Sequence, residues 1–350
     1  MTTEPGIFTV SLDFELYWGV RDKRSIDQYR PNLLGTRQAT LNILKVFERY
    51  AIHGSWATVG FLFFDNRQQL LAGLPTTLPG YHNTELSPYH YIDRQPELTT
   101  DYHFAPELIE KIRRTPGQEI ATHTFSHYYC LEAGQTPDDF RNDLKAALAI
   151  AAERGISVDS LVFPRNQWNP AYLPILAELG IRAYRGNESS WLYRASDESG
   201  QHPLRRALRL LDAYINLSGH HSYRLQDCVS EPPFNLPASR FLRPYSRRLS
   251  ALEGLRLRRI KKAMTDAARR GWVFHLWWHP HNFGTHTEQN IALLTRIAEH
   301  YAELRQRYGM RSCNMAELAD RAAQCLDRPV SQHPTMTVPG SVPRSSTVSG

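Results

Sequence analysis

The sequence predicts an α/β fold in which short buried strands alternate with helices. Two observations predict it: strand-like apolar runs recur along the chain, and a stretch with helical spacing follows most of them. Repeated strand-then-helix order implies a parallel sheet with right-handed crossovers. With 350 residues, of which 41% are hydrophobic, the chain is long enough to form one large domain around its own core.

The individual elements follow from local patterns. The predicted strands are Ile7–Leu12, His53–Val59, Glu119–Thr122, Leu161–Phe163, Ile181–Tyr184, Trp272–Trp278 and Met310–Cys313. The clearest helix start is Thr136-Pro137-Asp138-Asp139, where a capping hydroxyl precedes a first-turn proline and two acids. The predicted helices are Gly35–Tyr50, Glu107–Arg114, Thr136–Arg154, Ala171–Gly180, Leu249–Arg270, Gln289–Tyr308 and Asn314–Leu326.

Two stretches lack a sustained period and are predicted to be insertions. One spans about Leu70–Tyr102 and is rich in Pro, Tyr, His and Thr, whereas the other spans about Glu188–Tyr245 and contains Pro232-Pro233. The last stretch, Asp327–Gly350, is rich in Ser, Thr, Pro and Val and is predicted to be a flexible tail. The folded domain is therefore predicted to span residues 1–326.

Positive charge is concentrated in one region. The net charge is +6, yet Arg240–Arg270 carries eleven Arg and Lys against Glu253 and Asp266, a local balance of +9. A basic helix of this kind favours phosphate groups or an anionic membrane surface, and the alternative is a solvated face with no partner. RNA-binding aromatic signatures and paired zinc-finger spacings are absent, so we predict no nucleic-acid partner.

The cysteines and the N-terminus indicate the cellular compartment. The four cysteines contain no Cys-x-x-Cys pair, which suits reduced thiols in a reducing compartment. Uninterrupted apolar runs long enough to span a bilayer are lacking, and Met1–Gly6 shows no signal-peptide pattern. We therefore expect a cytoplasmic protein, and the sequence leaves its oligomeric state open.

The first candidate site residues are two carboxylates at the end of the first predicted strand. Asp13 and Glu15 are two positions apart, so on an extended strand both side chains point to the same side. Two buried carboxylates on one side are costly unless a positive charge lies between them, and a divalent metal ion supplies one. The alternative is that Asp13 caps the next turn while Glu15 pairs with an arginine.

The second candidates, His123 and His127, directly follow the predicted strand Glu119–Thr122. Their spacing lets both imidazoles reach one ion if the chain turns after the strand. A carboxylate and two imidazoles leave coordination positions open for water and substrate, as catalytic metal sites do. In a chain with 15 histidines, such a spacing also arises by chance.

The third candidates lie on the strand that carries His275, Trp277 and His279 on one face. A histidine at a strand end is suited to protonate a leaving amine, because the ordinary pKa of histidine, ~6.5, is close to neutral. His279 is the predicted acid with His281 as its competitor, and a satisfied core histidine is the alternative. Trp277 and His281 are the predicted substrate-binding residues, the indole being useful if it is exposed to a sugar ring.

The last candidate is Arg165, which follows the predicted strand Leu161–Phe163 and so lies on the same rim. It is predicted to orient the base carboxylate or to lower its pKa by charge proximity. The alternative is an ordinary surface arginine.

Four segments in this order resemble the polysaccharide deacetylase family, the NodB-homology domain of carbohydrate esterase family 4. They are Ser11-Leu12-Asp13-Phe14-Glu15, His123-Thr124-Phe125-Ser126-His127, Phe163-Pro164-Arg165-Asn166 and the strand that ends at His279. The resemblance covers roughly Ile7–Leu326 and implies a distorted, incomplete (β/α) barrel of NodB type with two insertions. The active site of such a barrel is expected at the carboxyl ends of its strands.

The resemblance also implies roles for these residues. Asp13 is similar to the catalytic base and His279 to the catalytic acid, and Arg165 to the partner that orients the base. Glu15, His123 and His127 are similar to the ligands of a divalent metal, expected to be zinc. The implied reaction is metal-assisted hydrolysis of the N-acyl group of an amino sugar, in the biosynthesis of a surface polysaccharide or its precursor.

The sequence departs from the family pattern at two of these segments. The metal carboxylate of the family is usually an aspartate, often immediately after the base, whereas here Phe14 separates Asp13 from Glu15. The segment around Arg165 also lacks the family's Arg-Pro-Pro order.

Other functions remain open from the sequence. The basic stretch, together with Arg205, Arg206 and Arg209, suits a phosphate-linked sugar. A deformylase or a non-sugar amidohydrolase on the same site is one alternative. A catalytically decayed protein that binds sugar or a membrane surface is an alternative of another class.

Overall fold

The computed structural model describes residues 4–193 and 203–326, and the predicted tail Asp327–Gly350 lies outside the described residues. The strands are β1 (Ile7–Phe14), β2 (Gly54–Thr58), β3 (Gln118–Thr122), β4 (Ser160–Val162), β5 (Ala183–Gly186), β6 (Phe234–Pro237), β7 (Arg240–Phe241), β8 (Val273–Trp278) and β9 (Arg311–Ser312). The longer helices are α1 (Ile26–Tyr50), α5 (Pro106–Arg114), α6 (Pro137–Glu153), α8 (Pro203–Asp212), α9 (Glu253–Arg270), α10 (Thr287–Tyr308) and α11 (Met315–Leu326). The shorter helices are α2 (Arg67–Ala72), α3 (Pro88–Arg94), α4 (Thr100–His103) and α7 (Leu173–Glu178).

The strands form one parallel sheet in the order β6-β5-β4-β3-β2-β1-β8-β7, and β9 pairs with the first residues of β1. All eight residues of β1 are buried, as expected for a central strand covered on both faces. Helices α1, α9 and α10 pack together outside β1 and β8, and the main apolar cluster fills the space between them and the sheet. The predicted α/β class and parallel order are confirmed.

One extended segment joins the two edges of the sheet. Strand β6 pairs with β5 at one edge, and after two residues β7 pairs with β8 at the other edge. Between them, Ala238 donates to the carbonyl of Gly186, and the amide of Ser239 donates to the carbonyl of His275. The sheet therefore curls back on itself as a distorted, incomplete barrel, as predicted, and the predicted insertion Glu188–Tyr245 contains the segment that bridges its edges.

The largest difference from the predicted boundaries is at α1, which begins at Ile26 rather than at Gly35. Ser25 forms a capping box with Gln28, in which each side chain accepts a hydrogen bond from the other residue's backbone amide. This cap starts the helix earlier than its apolar pattern indicates.

The first predicted insertion, about Leu70–Tyr102, folds into short helices over the carboxyl end of the sheet. Tyr81 and Leu86 are buried against Tyr129, two residues after His127. The hydroxyl of Tyr81 accepts a hydrogen bond from the backbone amide of Tyr129. The insertion thus packs on the loop that carries the candidate histidines. Among the described helices, none has both the length and the apolar character needed to cross a membrane.

Candidate active site

The candidate residues predicted on β1, β3 and β8 meet at the carboxyl end of the barrel. Asp13 is the next-to-last residue of β1, Glu15 directly follows that strand, and His123 directly follows β3. Ser11 pairs in register with Trp277 of β8, so the end of β8 lies beside the end of β1. Parallel strands bring their carboxyl ends to one rim, which is why segments far apart in sequence converge here.

Glu15, His123 and His127 form a compact buried group that we call the metal triad. The Nε2 atoms of His123 and His127 lie 3.2 and 3.0 Å from the same oxygen of Glu15, Oε2. One ligand atom from each residue lies within 4.8 Å of the other two, and all three side chains are buried. The structure therefore brings together the three predicted metal ligands.

The protonation of His123 fits a cation at this position. Its Nδ1 lies 2.7 Å from the carbonyl oxygen of Val162, which can only accept, so Nδ1 carries the proton. In the neutral ring, Nε2 then presents a lone pair to the carboxylate of Glu15, and two acceptors face each other unless a cation or a proton lies between them. Hydrogen bonding of the second ring nitrogen to a carbonyl is also the usual arrangement of a metal-bound histidine.

Burial keeps His127 neutral. It lowers the pKa of His127 to about 4, although the hydrogen bond and the charge of Glu15 act in the opposite direction. Burial would raise the pKa of Glu15, but His279 and the hydrogen bonds with His123 and His127 hold it well below its usual value. A neutral imidazole and an ionised carboxylate are the forms that bind a metal.

The loop between the two histidines is held by hydroxyl groups and one buried acid. Thr124 and His127 have positive φ angles of 64° and 60°, which are unusual for residues other than glycine. The amide of Phe125 donates to Asp143 of α6 at 2.8 Å, and both the amide and the hydroxyl of Ser126 donate to the same carboxylate. The loop therefore turns tightly enough to bring both imidazoles to Glu15.

Glycine at position 19 makes room for Glu15. A Cβ atom at Gly19 would lie only 2.0 Å from the carboxylate carbon of Glu15. The side chain of Glu15 therefore folds back over the turn after β1, and any larger residue at position 19 would displace it.

Asp13 lies at the centre of a second group, the Asp13 cluster, which also contains Arg185, Ser11 and His275. Both Asp13 oxygens accept hydrogen bonds from Arg185, at 2.6 and 2.8 Å, and Arg185 is almost fully buried. Burial would raise the pKa of Asp13, but the charges of Arg185, His123 and His279 hold it below its usual value. Asp13 is thus an ionised carboxylate at neutral pH.

The other members hold Arg185 in place. Its guanidinium also donates to the hydroxyl of Ser11 at 3.0 Å and to the side-chain oxygen of Asn166 at 2.8 Å. The Ser11 hydroxyl lies 2.8 Å from Nε2 of His275, whose pKa burial lowers to about 3. Nε2 of the neutral His275 ring therefore accepts a hydrogen bond from the Ser11 hydroxyl, and the oxygen of that hydroxyl accepts one from Arg185.

The structure corrects the prediction for Arg165, because Arg185 and not Arg165 contacts Asp13. Arg165 has a left-handed backbone with φ 56°, and its guanidinium pairs with the buried Asp22. It also stacks 4.1 Å from the ring centre of Tyr129. The turn after β4 directs Asn166 towards Arg185 and directs Arg165 towards Asp22.

His279 lies between the metal triad and the Asp13 cluster. Its Nε2 is 3.6 Å from Oδ2 of Asp13 and 3.5 Å from Oε1 of Glu15, and its side chain is 23% exposed. His281 stacks on it at 5.0 Å between ring centres, but the side chain of His281 is only 3% exposed. Of these two histidines, His279 is therefore the one that a substrate reaches from solvent.

Trp277 forms part of the wall of the site rather than an exposed platform. Its ring lies 4.2 Å from the guanidinium of Arg185 and 4.6 Å from the ring of Phe241, and only 9% of it is exposed. Its indole nitrogen donates to the buried carboxylate of Glu188 at 3.2 Å. The predicted stacking of an exposed indole on a sugar is therefore not available to Trp277.

Sequence reasoning missed Arg185, Asn166 and Glu188 as site residues. The predicted strand Ile181–Tyr184 ends one residue before Arg185, so an arginine at the end of a buried strand was the available signal. Glu188 falls at the start of a segment predicted to be an insertion, where no pattern indicates a side chain's direction.

Solved structures show what this chain is similar to. A protein assigned as a polysaccharide deacetylase from Mycobacterium smegmatis is 15% identical with a TM-score of 0.56, over 97% of this chain and 99% of that chain. Another from Pseudomonas aeruginosa PAO1 is 12% identical with a TM-score of 0.54, over 91% and 92%. Puue allantoinase is 12% identical with a TM-score of 0.51, over 92% of both chains.

The sequence matches no family model and no curated protein sequence. The likenesses are therefore of fold, and they extend over nearly the whole of each chain. The resemblance that the four sequence segments predict is confirmed at that level: the chain has the fold of the polysaccharide deacetylases, with a carboxylate and two histidines at its carboxyl rim.

Proposed function

We propose that this protein is a metal-dependent N-deacetylase that hydrolyses the N-acyl group of an amino sugar. The observation that carries the proposal is the contact of one Glu15 oxygen with the Nε2 atoms of both His123 and His127, next to the arginine-bound Asp13. The fold shared with polysaccharide deacetylases supports the same chemistry.

The metal triad would hold the metal ion. Two imidazoles and one carboxylate are the N and O donors that zinc takes in catalytic sites, and they leave a position open for water or substrate. When bound, such an ion acts as a Lewis acid and lowers the pKa of a water molecule. We infer zinc from this donor set.

We propose that Asp13 is the base that accepts a proton from water. Its two bonds from Arg185 use two of about four lone-pair positions on the carboxylate, so others remain for a water at the rim. Because Arg185 fixes the carboxylate through both oxygens, the base needs no reorientation during the reaction. Arg185 is therefore a positioning residue.

We propose that His279 gives a proton to the departing amine. It lies within 3.6 Å of both carboxylates and is the partly exposed histidine of its pair. Amide hydrolysis requires both a base and an acid, since water loses a proton as the amine gains one.

A non-sugar amide is the second candidate substrate. The observation that favours it is the shared fold of Puue allantoinase, at a TM-score of 0.51. The covered ring of Trp277 also removes the sugar platform that the sequence predicted. An N-formyl sugar would use the same site.

A substrate panel tests the proposal. Purified protein loaded with zinc is assayed on N-acetyl and N-formyl amino sugars, free and phosphate-linked, and on allantoin, with acetate, formate and amine measured separately. We expect acetate release from an amino sugar, lost with chelator and restored by metal. Release of formate alone would assign N-formyl sugars as substrates, and hydrolysis of allantoin alone would assign a non-sugar amide. No hydrolysis of any compound would contradict the enzyme assignment. The predicted cytoplasmic location stays a prediction.

A further inference from the structure

The exposed apolar residues of this protein are concentrated in one region. Of the ten large hydrophobic side chains that are exposed in the described part of the chain, six lie between residues 191 and 255. They are Trp191 (66% exposed), Leu204 (71%), Leu211 (50%), Ile215 (57%), Leu217 (54%) and Leu255 (46%). A cluster of this kind on one part of a surface marks an interaction site more often than single exposed leucines do.

Helix α8 presents much of this surface as a stripe. Leu204, Leu208 and Leu211 follow the spacing of one helix face, and Ile215 continues it in the turn after α8. Leu204 and Leu211 are at least half exposed, so this apolar face points to solvent and not to the core. In most surface helices the apolar face is the buried one.

Polar contacts hold α8 in this orientation. Arg205 and Arg209 both donate to the backbone carbonyl of Leu192. At the end of the helix, the buried Asp212 accepts from Arg240 and pairs with Arg259 of α9. Because charged groups anchor the inner side of α8, the apolar side is left facing outwards.

A cationic groove of about 550 Å³ lies next to this surface, between α9 and α10. Its charged lining consists of one acid and five cations, namely Asp266, Arg258, Lys261, Lys262, Arg269 and Arg296. His220, in the loop after α8, lines the groove and contacts Arg259, so the apolar stripe and the groove are joined by one short loop. Asp266 pairs with Arg270, which further reduces negative charge in the groove.

We propose that α8 and this groove dock the protein on a lipid bilayer with anionic headgroups. Leucines and a tryptophan beside arginines are the composition of interfacial helices, whose apolar face enters the boundary between headgroups and acyl chains. The cations of the groove complement the negative surface of such a bilayer. The proposal does not depend on the deacetylase function, because no residue of the metal triad or of the Asp13 cluster takes part.

On its inner side, α8 is linked to the active site through direct contacts. Asp212 of α8 pairs with Arg240 of β7, and the next residue, Phe241, packs on Trp277 and His279.

Vesicle flotation tests the proposal. Full-length protein is mixed with vesicles of phosphatidylglycerol and phosphatidylcholine, or of phosphatidylcholine alone, at low and high salt. We expect binding to the anionic vesicles that weakens with salt. The double variant Leu204→Glu/Leu211→Glu should bind at least roughly tenfold more weakly, because each leucine loses its burial in the bilayer. Lys261→Glu/Lys262→Glu should weaken binding only to anionic vesicles.

The matched control is Leu71→Glu/Leu78→Glu, which changes two exposed leucines elsewhere and should bind as the wild type does. Circular dichroism and thermal unfolding check that each variant is folded. Absence of wild-type binding to anionic vesicles would overturn the proposal, as would equal binding by the α8 variant. If the wild type binds no vesicles but sediments as a dimer, and the α8 variant is a monomer, the surface binds a second copy of the chain instead.

Discussion

The metal triad and the Asp13 cluster lie side by side on one rim, but the chain assembles them differently. Two of the three triad members come from a five-residue loop, His123–His127, whose turn is fixed by local hydroxyls and by Asp143. The Asp13 cluster joins residues that are far apart in sequence: Arg185 is 172 positions from Asp13, and His275 is 264 from Ser11. The triad depends on a loop conformation, whereas the cluster depends on the register of the barrel.

This difference predicts how each group fails. A change at either histidine of the triad should remove the metal and leave the barrel intact, since both histidines lie in a loop after β3 and not in the sheet. A change in the Asp13 cluster should disturb stability as well as turnover, because it leaves a buried charge without its partner.

The largest effect is expected from the triad. His123→Ala should abolish metal binding and lower kcat/KM by at least ~10³-fold, since Lewis-acid catalysis contributes several kcal/mol. Metal content and hydrolysis are measured on the same sample. His90→Ala, which changes an exposed histidine outside the site, is the control and should match the wild type. Full activity of metal-free His123→Ala would show that hydrolysis does not need the metal triad.

His279 should show the next largest effect, through turnover without metal loss. His279→Ala is expected to lower kcat by ~10²–10⁴-fold, the usual contribution of a general acid. The loss should shrink on an acyl substrate whose leaving group needs no proton. His281→Ala serves as the comparison. If its loss of kcat depends more strongly on the leaving group than the loss in His279→Ala, His281 and not His279 is the acid.

Substitutions at Arg185 and Arg165 test which of the two arginines positions Asp13. Arg185→Ala should lower kcat by ~10²-fold through misplacement of Asp13 and should destabilise the fold by ~3–5 kcal/mol, because a buried carboxylate loses its partner. Arg165→Ala should change kcat far less, since Arg165 pairs with Asp22. Kinetics and urea unfolding of both variants, with Arg185→Lys as the conservative change, decide between them. Equal loss of kcat in both would contradict the assignment of Arg185.

Asp143 tests whether the loop conformation sets metal affinity. Asp143→Asn keeps the side-chain shape but weakens the acceptor for the amides of Phe125 and Ser126. Metal affinity, followed by calorimetric titration, is expected to fall by ~10–100-fold, as for other residues that support metal ligands. An unchanged affinity would show that the histidine loop holds its shape without this carboxylate.

The smallest effect is expected far from both groups. At the opposite end of the strands, a hydrogen bond with Glu317 raises the pKa of His53, against the effect of burial. The charged pair therefore adds stability below the ordinary histidine pKa, and the contribution is lost as pH rises through the raised value. His53→Gln should cost ~0.5 kcal/mol of unfolding free energy at low pH and less above neutrality, because the pair is partly exposed and screened by solvent. An equal cost at both pH values would show that the charge of His53 does not stabilise the fold.

The sequence predicted the parts of the site that rest on local pattern. Strand ends at Asp13, His123 and His279 could be located from apolar runs, and parallel topology then placed them on one rim. The α/β class and most helices followed from the same periodicities. The short strands β6 and β7 were not predicted, because they lie in the stretch Glu188–Tyr245, which shows no sustained period.

The choice between Arg165 and Arg185 also exceeded what the sequence could settle. Both follow predicted strands, and only the backbone distinguishes them: Arg165 has a left-handed conformation and pairs with Asp22, whereas Arg185 lies in β5 and reaches Asp13. The solvent-facing stripe of α8 is a similar case. Helix α8 lies in a stretch predicted to be an insertion, and only the fold shows that its apolar side faces solvent.

Metal titration of the wild type beside Asp13→Asn tests the central claim most directly. Both proteins should bind one divalent ion with similar affinity, because Asp13 is not a member of the triad, but only the wild type should release acetate from an N-acetylated amino sugar. A wild type that binds no divalent ion would contradict the account, and so would an Asp13→Asn variant that retains turnover.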